Sequence, residues 1–587
     1  MIKETIVEYL LRQFKKATAE AFPSLAINDS IPMEITQSTQ DKFGHYQFNS
    51  AMKLSKTLQK NPREIAQTIL NQLVKDAEFN SVVVKLEIAG PGFINIFINP
   101  VFLAKFIHVI LTKPFLGVPQ PRKQRIVIDF SSPNTAKEMH VGHLRSTIIG
   151  DCLARVFEFL GHDVVRLNHI GDWGTAFGML IAHIKETAPQ VLNGEQSTDL
   201  SQLVEWYKSS KQKFDQDPDF KKTAQLEVVA LQKGDPSSLK AWKIICAISE
   251  KAYQEIYDLL DVEIHTRGES FYNPLLPSIV KEMEDKGLVE VSEGAKCIFM
   301  EEFRNREGDA MPLMIQKSDG GYNYDTTDLA AIKQRIFDEK ADRIVIVTDA
   351  GQAMHFQMIF KAAEKAGFLK DKAVQLDHVP FGLVLGSDGK KFRTRSGETE
   401  KLIDLLTSGI EQARKILMER DPGLEEEECQ KVAEVLGIGA IKYADLSCHR
   451  TSDYTFSYER MLKFEGNTAA YLVYSYVRVS GIKRKVNADI NALIDTTNLI
   501  LNHPSEISLA LHLCQFGEAI DTVARDLLPN RLTDYLYQLA EKFNGFFRDC
   551  RVEGSPEQNS RLLLCEATAR IMKKGLYLLG VKTVEKM

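Results

Sequence analysis

The sequence lacks the features of a membrane or secreted protein. None of its apolar runs approaches the roughly 18 residues that span a bilayer. Residues 1–9 form a charged amphipathic segment without the apolar centre of a signal peptide. The eight cysteines are scattered singly, with no Cys-x-x-Cys pair and no histidine at the spacing of a zinc site. We therefore expect a cytoplasmic protein with no membrane contact, no structural zinc and no structural disulfide.

The sequence also lacks an excess of positive charge. Its formal net charge is −6, so composition gives no sign of nucleic-acid binding, and any RNA contact must come from local basic surface. We find no internal repeat and no low-complexity tract. With 44% apolar and 26% charged residues the chain has an ordinary globular composition. A length of 587 residues predicts about three to five domains.

The most informative stretch is residues 125–170. A short β-branched strand at 125–130 leads through a loop into His140-Val141-Gly142-His143 at a helix start. Apolar residues at helical spacing continue as far as Gly161, which can end the helix in the left-handed conformation. Residues 163–170 then predict a second strand. Together these elements predict a βαβ unit.

A strand end that meets a helix start makes a crevice suited to a polyphosphate. Free backbone N–H groups and the positive end of the helix dipole face outward there. His140 and His143, at i and i+3, lie on one face and can reach the same anion. Gly142 leaves a wall without a side chain, against which a purine could lie. The alternative is a pair of surface histidines at a helix N-terminus, but the strand, loop and helix context favours a nucleotide site.

Residues 133–146, Pro-Asn-Thr-Ala-Lys-Glu-Met-His-Val-Gly-His-Leu-Arg-Ser, resemble the HIGH region of class I aminoacyl-tRNA synthetases. The form of the motif is that of arginyl-tRNA synthetases, and the similarity extends over most of the chain. The resemblance implies a multidomain α/β fold built on a doubly wound, Rossmann-like catalytic domain. The implied parts are an N-terminal α+β domain that contacts the tRNA elbow (1–118), the catalytic domain (119–400) with a helix-rich insertion (186–300), a helical connection (401–460) and a C-terminal helical anticodon-binding domain (461–587).

The resemblance also implies a reaction and its partners. ATP, with Mg²⁺ on its phosphates, and L-arginine would form an arginyl-adenylate and pyrophosphate, and the acyl group would pass to an arginine-accepting tRNA with release of AMP. Adenylate formation would require bound tRNA. We expect a monomer that holds no metal of its own.

Site residues follow from the same resemblance, position by position. Catalytic roles are implied for Lys137, His140, Gly142, His143, Lys391, Arg393 and Arg395. Arginine binding is implied for Asp129, Ser131, Asn134, Tyr324, Asp328 and Gln357. ATP binding is implied for Pro133, His140, Gly142, His143, Gly351 and His355. Contact with tRNA is implied for Phe93, Asn95, Tyr471 and Arg478.

A basic loop at residues 387–397 departs from the pattern of the class. Four cations in six residues could close on a polyphosphate, although a solvated basic turn is the alternative. The class carries a KMSKS motif here, but Thr394 stands about where its second lysine would be. Arginyl-tRNA synthetases share this departure. The resemblance implies that Lys137 takes the place of the missing lysine.

Several of these positions have a purely structural alternative. Tyr324 and Asp328 lie four apart across a predicted junction with a helix that starts at Leu329, so both could face one pocket, or Asp328 could only cap that helix. Phe93 could be a core residue. The aromatic and cationic residues around Tyr471 and Arg478 could stack RNA bases, or form a core and a solvated face.

Three functional hypotheses remain beside an arginine-tRNA ligase. These are a tRNA-binding relative without catalysis, a class I synthetase for another amino acid, and a nucleotidyltransferase that shares His-x-Gly-His. Intact Lys137, His140, Gly142 and His143 favour a working ligase. A nucleotidyltransferase needs no large C-terminal helical domain.

Overall fold

The computed structural model describes residues 3–23, 25, 33–305, 307–370, 372–386, 388–390, 392 and 400–587, with the backbone alone at position 41. Its N-terminal part is a four-stranded antiparallel sheet, in the order β1-β2-β4-β3, packed against helices. Asn61 caps α3 ahead of Pro62, as the Asn-Pro pair predicts. The elements are α1 Ile6–Ala21, β1 Ile35–Gln37, β2 Tyr46–Phe48, α2 Ala51–Leu58, α3 Pro62–Leu73, α4 Ala77–Val82, β3 Val83–Ala89, β4 Phe93–Ile98 and α5 Pro100–Thr112.

A parallel five-stranded sheet, in the order β12-β11-β5-β6-β7, forms the centre of the predicted catalytic domain. Helices cover both of its faces, and Ile126, Val127 and Ile128 of its middle strand are fully buried. The elements, in chain order, are β5 Arg125–Asp129, α6 Val141–Phe159, β6 Asp163–Asn168, α7 Thr175–Thr187, α8 Pro189–Asn193, α9 Leu200–Gln216, α10 Pro218–Gln232, α11 Pro236–Leu259, β7 His265–Thr266, α12 Leu276–Asp285, β8 Glu290–Ser292, β9 Ala295–Arg304, β10 Ala310–Gln316, α13 Tyr324–Phe337, β11 Arg343–Asp349, α14 Ala353–Lys365, β12 Gln375–Phe381 and β13 Val384–Leu385.

The rest of the chain is helical apart from one short strand. That strand, β14, pairs in parallel with β13. No helix in the described ranges is long and apolar enough to cross a membrane. The elements are α15 Leu402–Arg420, α16 Glu426–Leu446, β14 Tyr454–Thr455, α17 Tyr458–Met461, α18 Ala469–Val486, α19 Ile490–Thr496, α20 Pro504–Cys514, α21 Phe516–Asp526, α22 Asn530–Asp549 and α23 Gln558–Leu578.

The predicted βαβ unit is confirmed as β5, α6 and β6, with Gly161 at a φ of 82° after the helix. Two sequence-based expectations differ from the structure. Helix α13 begins at Tyr324 rather than Leu329, because Asn323 adopts an extended conformation at its N-cap. Tyr324 and Asp328 therefore lie one turn apart on the same helix. Strand β7 also returns the chain to the main sheet inside the predicted insertion.

A buried ion pair joins α6 to the C-terminal helices. Arg145 Nε lies 2.9 Å from Asp445 Oδ2 on α16, and both side chains are buried. The Arg145 guanidinium also lies over the rings of Phe381 and Tyr454. Breaking such a pair leaves an uncompensated buried charge. The helix that carries the HIGH residues is therefore fixed against both the sheet and the helical part.

Candidate active site

The HIGH residues form the first turn of α6, at the carboxyl end of the central strand β5. The Gly142 N–H donates to His140 Nδ1 at 3.0 Å, and the His140 N–H donates to His143 Nδ1 at 3.1 Å. A neutral imidazole that accepts at Nδ1 carries its hydrogen on Nε2. The two rings, with centroids 4.1 Å apart, are therefore fixed as Nε2–H donors beside one another.

His143 is neutral at physiological pH. Its burial, together with the neighbouring His140 and the positive charge of Lys137, lowers the pKa of His143 to about 3. It therefore contributes a hydrogen-bond donor and not a cation. Lys137 itself is exposed, and its ammonium lies 5.4 Å from the centre of the Tyr207 ring on α9.

Two glycines are required by the packing of the predicted ligand-binding side chains. A Cβ at Gly142 would lie 2.9 Å from Cε1 of His140, so a side chain there would displace the His140 ring. A Cβ at Gly171 would lie 2.3 Å from Oδ1 of Asn134. Gly171 also holds the loop after β5 through backbone hydrogen bonds to Pro133 and Thr135.

Helices α13 and α14 bring three more of the predicted residues together. His355 Nε2 lies 2.6 Å from Asp328 Oδ2, and its Nδ1 lies 3.2 Å from Asp325 Oδ1. Burial lowers the pKa of His355, but the hydrogen bonds and charges of the two carboxylates outweigh it and raise the pKa to about 9. The Tyr324 ring packs edge-on against His355 and is 61% exposed, so it forms the rim of the site.

A further carboxylate, Glu269, was missed in the sequence. It lies in the 3₁₀ turn Glu269–Leu275 after β7. Burial and the negative charges of Asp328 and Asp172 raise the pKa of Glu269 to about 7. Asp172 fixes that turn by accepting hydrogen bonds from the backbone N–H and the hydroxyl of Ser270, at 2.8 Å and 2.5 Å. A buried carboxylate with a strongly raised pKa beside other carboxylates is typical of a functional site.

Asp129, for which the resemblance implies arginine binding, is already paired with a cation of the protein. Its Oδ2 accepts a hydrogen bond from the buried Arg335 at 2.6 Å, and its Oδ1 accepts one from the Ser132 hydroxyl at 3.0 Å. Arg335 in turn lies 3.2 Å from Nδ1 of His169. The carboxylate already has a cationic partner, and its predicted contact with arginine stays a prediction.

Two other predicted arginine contacts are not brought to the site. Ser131 is buried, and its hydroxyl is hydrogen-bonded to Tyr257 and Thr147. Gln357 is two residues from His355 on α14, and a helix turns about 100° per residue, so the two side chains point to opposite faces. Gln357 lines a separate groove with Phe360.

The remaining predicted residues lie outside this cluster. Gly351 is exposed, in the turn that Asp349 closes by accepting its N–H. Pro133 is buried beside Asn134. Lys391, Arg393, Thr394 and Arg395 lie outside the described residues. Among the described residues, no group of three or more His, Cys, Asp or Glu side chains could hold a metal ion.

The predicted tRNA contacts lie on the N-terminal sheet and on α18. Phe93 is half-buried, while Asn95 is only 3% exposed and accepts a hydrogen bond from Gln47, so Asn95 offers little surface to an RNA. Asn95 lies on the same side of β4 as Phe93 and Phe97, which are both half-buried, while the opposite side of the strand is buried in the core. Tyr471 and Arg478 both bond to Asn544, which orders them along one face of α18.

Comparison with known proteins was made over the whole chain. Residues 106–458 match the family model for "tRNA synthetases class I (R), catalytic domain". Residues 472–587 match the "DALR anticodon binding domain", and residues 8–98 the "Arginyl tRNA synthetase N terminal domain". An arginine–tRNA ligase from Protochlamydia amoebophila is 64% identical over 585 residues, which cover 99% of this chain and 100% of the relative.

Two further matches agree with it. An arginine–tRNA ligase from Chlamydia felis is 52% identical over 583 residues, which cover 99% of this chain and 100% of the relative. The crystal structure of an arginyl-tRNA synthetase from Plasmodium falciparum superposes with a TM-score of 0.87 at 33% identity, and the match covers 100% of both chains.

Proposed function

The chain belongs to the arginyl-tRNA synthetase family and is an ATP-dependent arginine–tRNA ligase, and from this premise we propose that its site is divided into a nucleotide side and an arginine side. The nucleotide side is the first turn of α6 with Lys137. The arginine side is Asp328, Glu269 and Tyr324. The observation that carries the division is the cluster of carboxylates around His355, which follows β11, while the two histidine donors follow the neighbouring strand β5.

On the nucleotide side, His140 and His143 donate their Nε2–H groups to phosphate oxygens. Both rings are already oriented by the backbone, so they need no reorganisation when charge develops on those oxygens. ATP brings Mg²⁺ on its own phosphates, and the metal offsets part of their charge. Lys137 neutralises the outer phosphates as a point charge.

The reaction then follows from the placement of the two substrates. A carboxylate oxygen of arginine attacks the α-phosphorus, the bond to pyrophosphate breaks, and an arginyl-adenylate results. A hydroxyl of the terminal tRNA ribose attacks the acyl carbon, and AMP leaves. Holding both substrates at one sheet edge converts a bimolecular step into a nearly unimolecular one.

On the arginine side, Asp328 and Glu269 bind the guanidinium. A guanidinium has five donors in a planar fork, which suits two carboxylates better than the point charge of lysine does. Among the described residues no hydrogen bond to Oδ1 of Asp328 is found, while Oδ2 contacts His355. When arginine binds, its guanidinium neutralises part of the negative charge on Asp328 that His355 neutralises in the free protein.

The tRNA runs from the N-terminal sheet, at the half-buried Phe93 and not at the buried Asn95, to α18, at Tyr471 and Arg478. An aromatic ring next to a guanidinium is a suitable platform for an unpaired base. We also propose that the protein acts in the cytoplasm as a monomer, and that adenylate formation requires bound tRNA. Pyrophosphate exchange at full rate without tRNA would contradict that requirement.

Lys137→Ala is expected to lower kcat/KM for ATP by about tenfold, the effect of one exposed charge-assisted contact worth about 1.5 kcal/mol. The KM for arginine should stay within about twofold of wild type, since Lys137 lies on the nucleotide side. The check is tRNA charging at varied ATP. Lys211→Ala, an exposed lysine on α9, is the matched control. Unchanged ATP kinetics in Lys137→Ala would assign the role to another cation.

The affinity for arginine is expected to fall as the pH is lowered through about 7. Glu269 has a pKa of about 7 in the free protein, and a bound guanidinium lowers it, so binding releases a proton whenever Glu269 is protonated. The contribution of Glu269 to the affinity for arginine is therefore fully present above pH 7. Below pH 7 the affinity falls by up to about tenfold per pH unit. His355 also loses a proton when arginine binds. Its contribution therefore increases the affinity for arginine as the pH rises from 7 to the His355 pKa of about 9.

Calorimetric titration with arginine, repeated in buffers of different ionisation enthalpy, measures the protons that Glu269 and His355 release on binding. Glu269→Gln should lose the pH dependence below about 7 and keep the part above it, because His355 is intact. Glu290→Gln, on the exposed start of β8, should behave as wild type. An undiminished slope below pH 7 in Glu269→Gln would exclude Glu269 from the arginine side.

A further inference from the structure

The loop between β5 and α6 is strained, and side chains from the insertion helix α11 hold it in place. Three residues that are not glycine have left-handed φ angles: Ser131 at 69°, Ser132 at 49° and Ala136 at 59°. Each such conformation costs about 1–3 kcal/mol and persists only where its surroundings impose it. Lys137 and His140 lie in the last residues of the loop, so the shape of the loop determines where the proposed phosphate-binding groups lie.

The restraints come from a stripe of side chains on α11, in the insertion. Ser249, Tyr253 and Tyr257 are spaced by four residues and therefore lie along one face of the helix. The Tyr257 hydroxyl lies 2.8 Å from the Ser131 hydroxyl, and the Ala136 N–H donates to the Ser249 hydroxyl at 3.0 Å. The stripe thus contacts two of the three strained positions directly.

Tyr253 restrains the segment from Asn134 to Lys137. Its hydroxyl lies 2.7 Å from the carbonyl oxygen of Asn134 and 2.8 Å from that of Lys137, so one O–H bridges the two sides of the left-handed turn at Ala136. The Tyr253 side chain is only 1% exposed. Water cannot easily take the place of the hydroxyl, and the two carbonyl groups would lose their shared donor.

We infer that Tyr253 is a positioning residue for ATP activation, which acts by fixing the backbone of Lys137 from the insertion helix α11. The inference rests on the proposed role of Lys137. Tyr253 does not touch the substrate itself. The hydroxyl holds the turn, the turn directs the ammonium group, and the ammonium group meets the phosphates.

The test is Tyr253→Phe, which removes only the hydroxyl. We expect kcat/KM for ATP to fall roughly tenfold in tRNA charging, with the KM for arginine within about twofold of wild type. The matched control is Tyr535→Phe, which removes a buried hydroxyl that donates to the His512 carbonyl oxygen at 2.9 Å in the C-terminal helices. Both variants should lower the melting temperature, but only Tyr253→Phe should change the ATP kinetics.

A double-mutant cycle separates positioning from a general loss of structure. In a Lys137→Ala background, Tyr253→Phe should lower kcat/KM for ATP by no more than about twofold, because the group it positions is gone. The same tenfold loss in both backgrounds, or normal ATP kinetics in Tyr253→Phe, would overturn the inference and leave the role of Lys137 intact. Normal ATP kinetics in Lys137→Ala alone would overturn both. If Tyr253→Phe folds poorly, Ser249→Ala replaces it in the same cycle.

Discussion

Asp328→Asn is expected to lower kcat/KM for arginine at least about a hundredfold, from the loss of a charge-assisted contact worth about 3 kcal/mol. Asparagine keeps the shape of the side chain, so the change removes the charge and one acceptor while the packing of α13 is retained. Because the guanidinium is charged at every accessible pH, no protonation change in the substrate can compensate. The measurement is tRNA charging at varied arginine.

We expect the proposed site to prefer arginine to lysine. Lysine would leave acceptors of a fork-shaped site unpaired, and sites built to hydrogen-bond their substrate can reach discrimination of about 10⁴. Asp338→Asn, at the exposed end of the same helix, is the control and should charge arginine normally. Normal arginine kinetics in Asp328→Asn would mean that another carboxylate, with Glu269 the first candidate, determines specificity.

His140→Asn and His143→Ala are each expected to lower kcat by about 30-fold to 1000-fold, the effect of about 2–4 kcal/mol for one lost donor to a developing oxyanion. The loss should appear in kcat and kcat/KM together, since the contact strengthens in the transition state. Asparagine is chosen at position 140 because His140 is the N-cap of α6. An asparagine side chain also accepts at that position, so the helix start is kept while the Nε2–H donor is removed.

The control for both variants is His108→Ala, an exposed histidine on α5. It should retain wild-type charging and a wild-type melting temperature. The pH profile gives a second check on His143. Because its pKa is lowered to about 3, the ring stays neutral above about pH 4, and its contribution should not titrate between pH 5 and 8. Near-normal kcat in both variants would remove the two rings from the phosphate site.

The amino-acid sequence by itself determined the elements whose signals are local. The strand β5, the helix α6 and the strand β6 follow from the hydrophobic spacing of residues 125–170 and from Gly161. The resemblance of residues 133–146 identified the family. The placement of the two histidines on one face also follows from the sequence, because residues three apart at a helix start lie on the same face. Helix α3 was likewise set by Asn61 and Pro62.

Only the tertiary structure decided which charged groups meet. Arg335 is 206 residues from Asp129, yet the two pair at 2.6 Å and satisfy a carboxylate that the sequence assigned to the substrate. Glu269 joins Asp328 because β7 ends and α13 begins at the same edge of the sheet, and Gln357 turns away because of its phase on α14. The contacts of α11 with the loop span more than a hundred residues. Pairing over such separations depends on the packing of whole elements, since the local pattern of a segment carries no information about its distant partner.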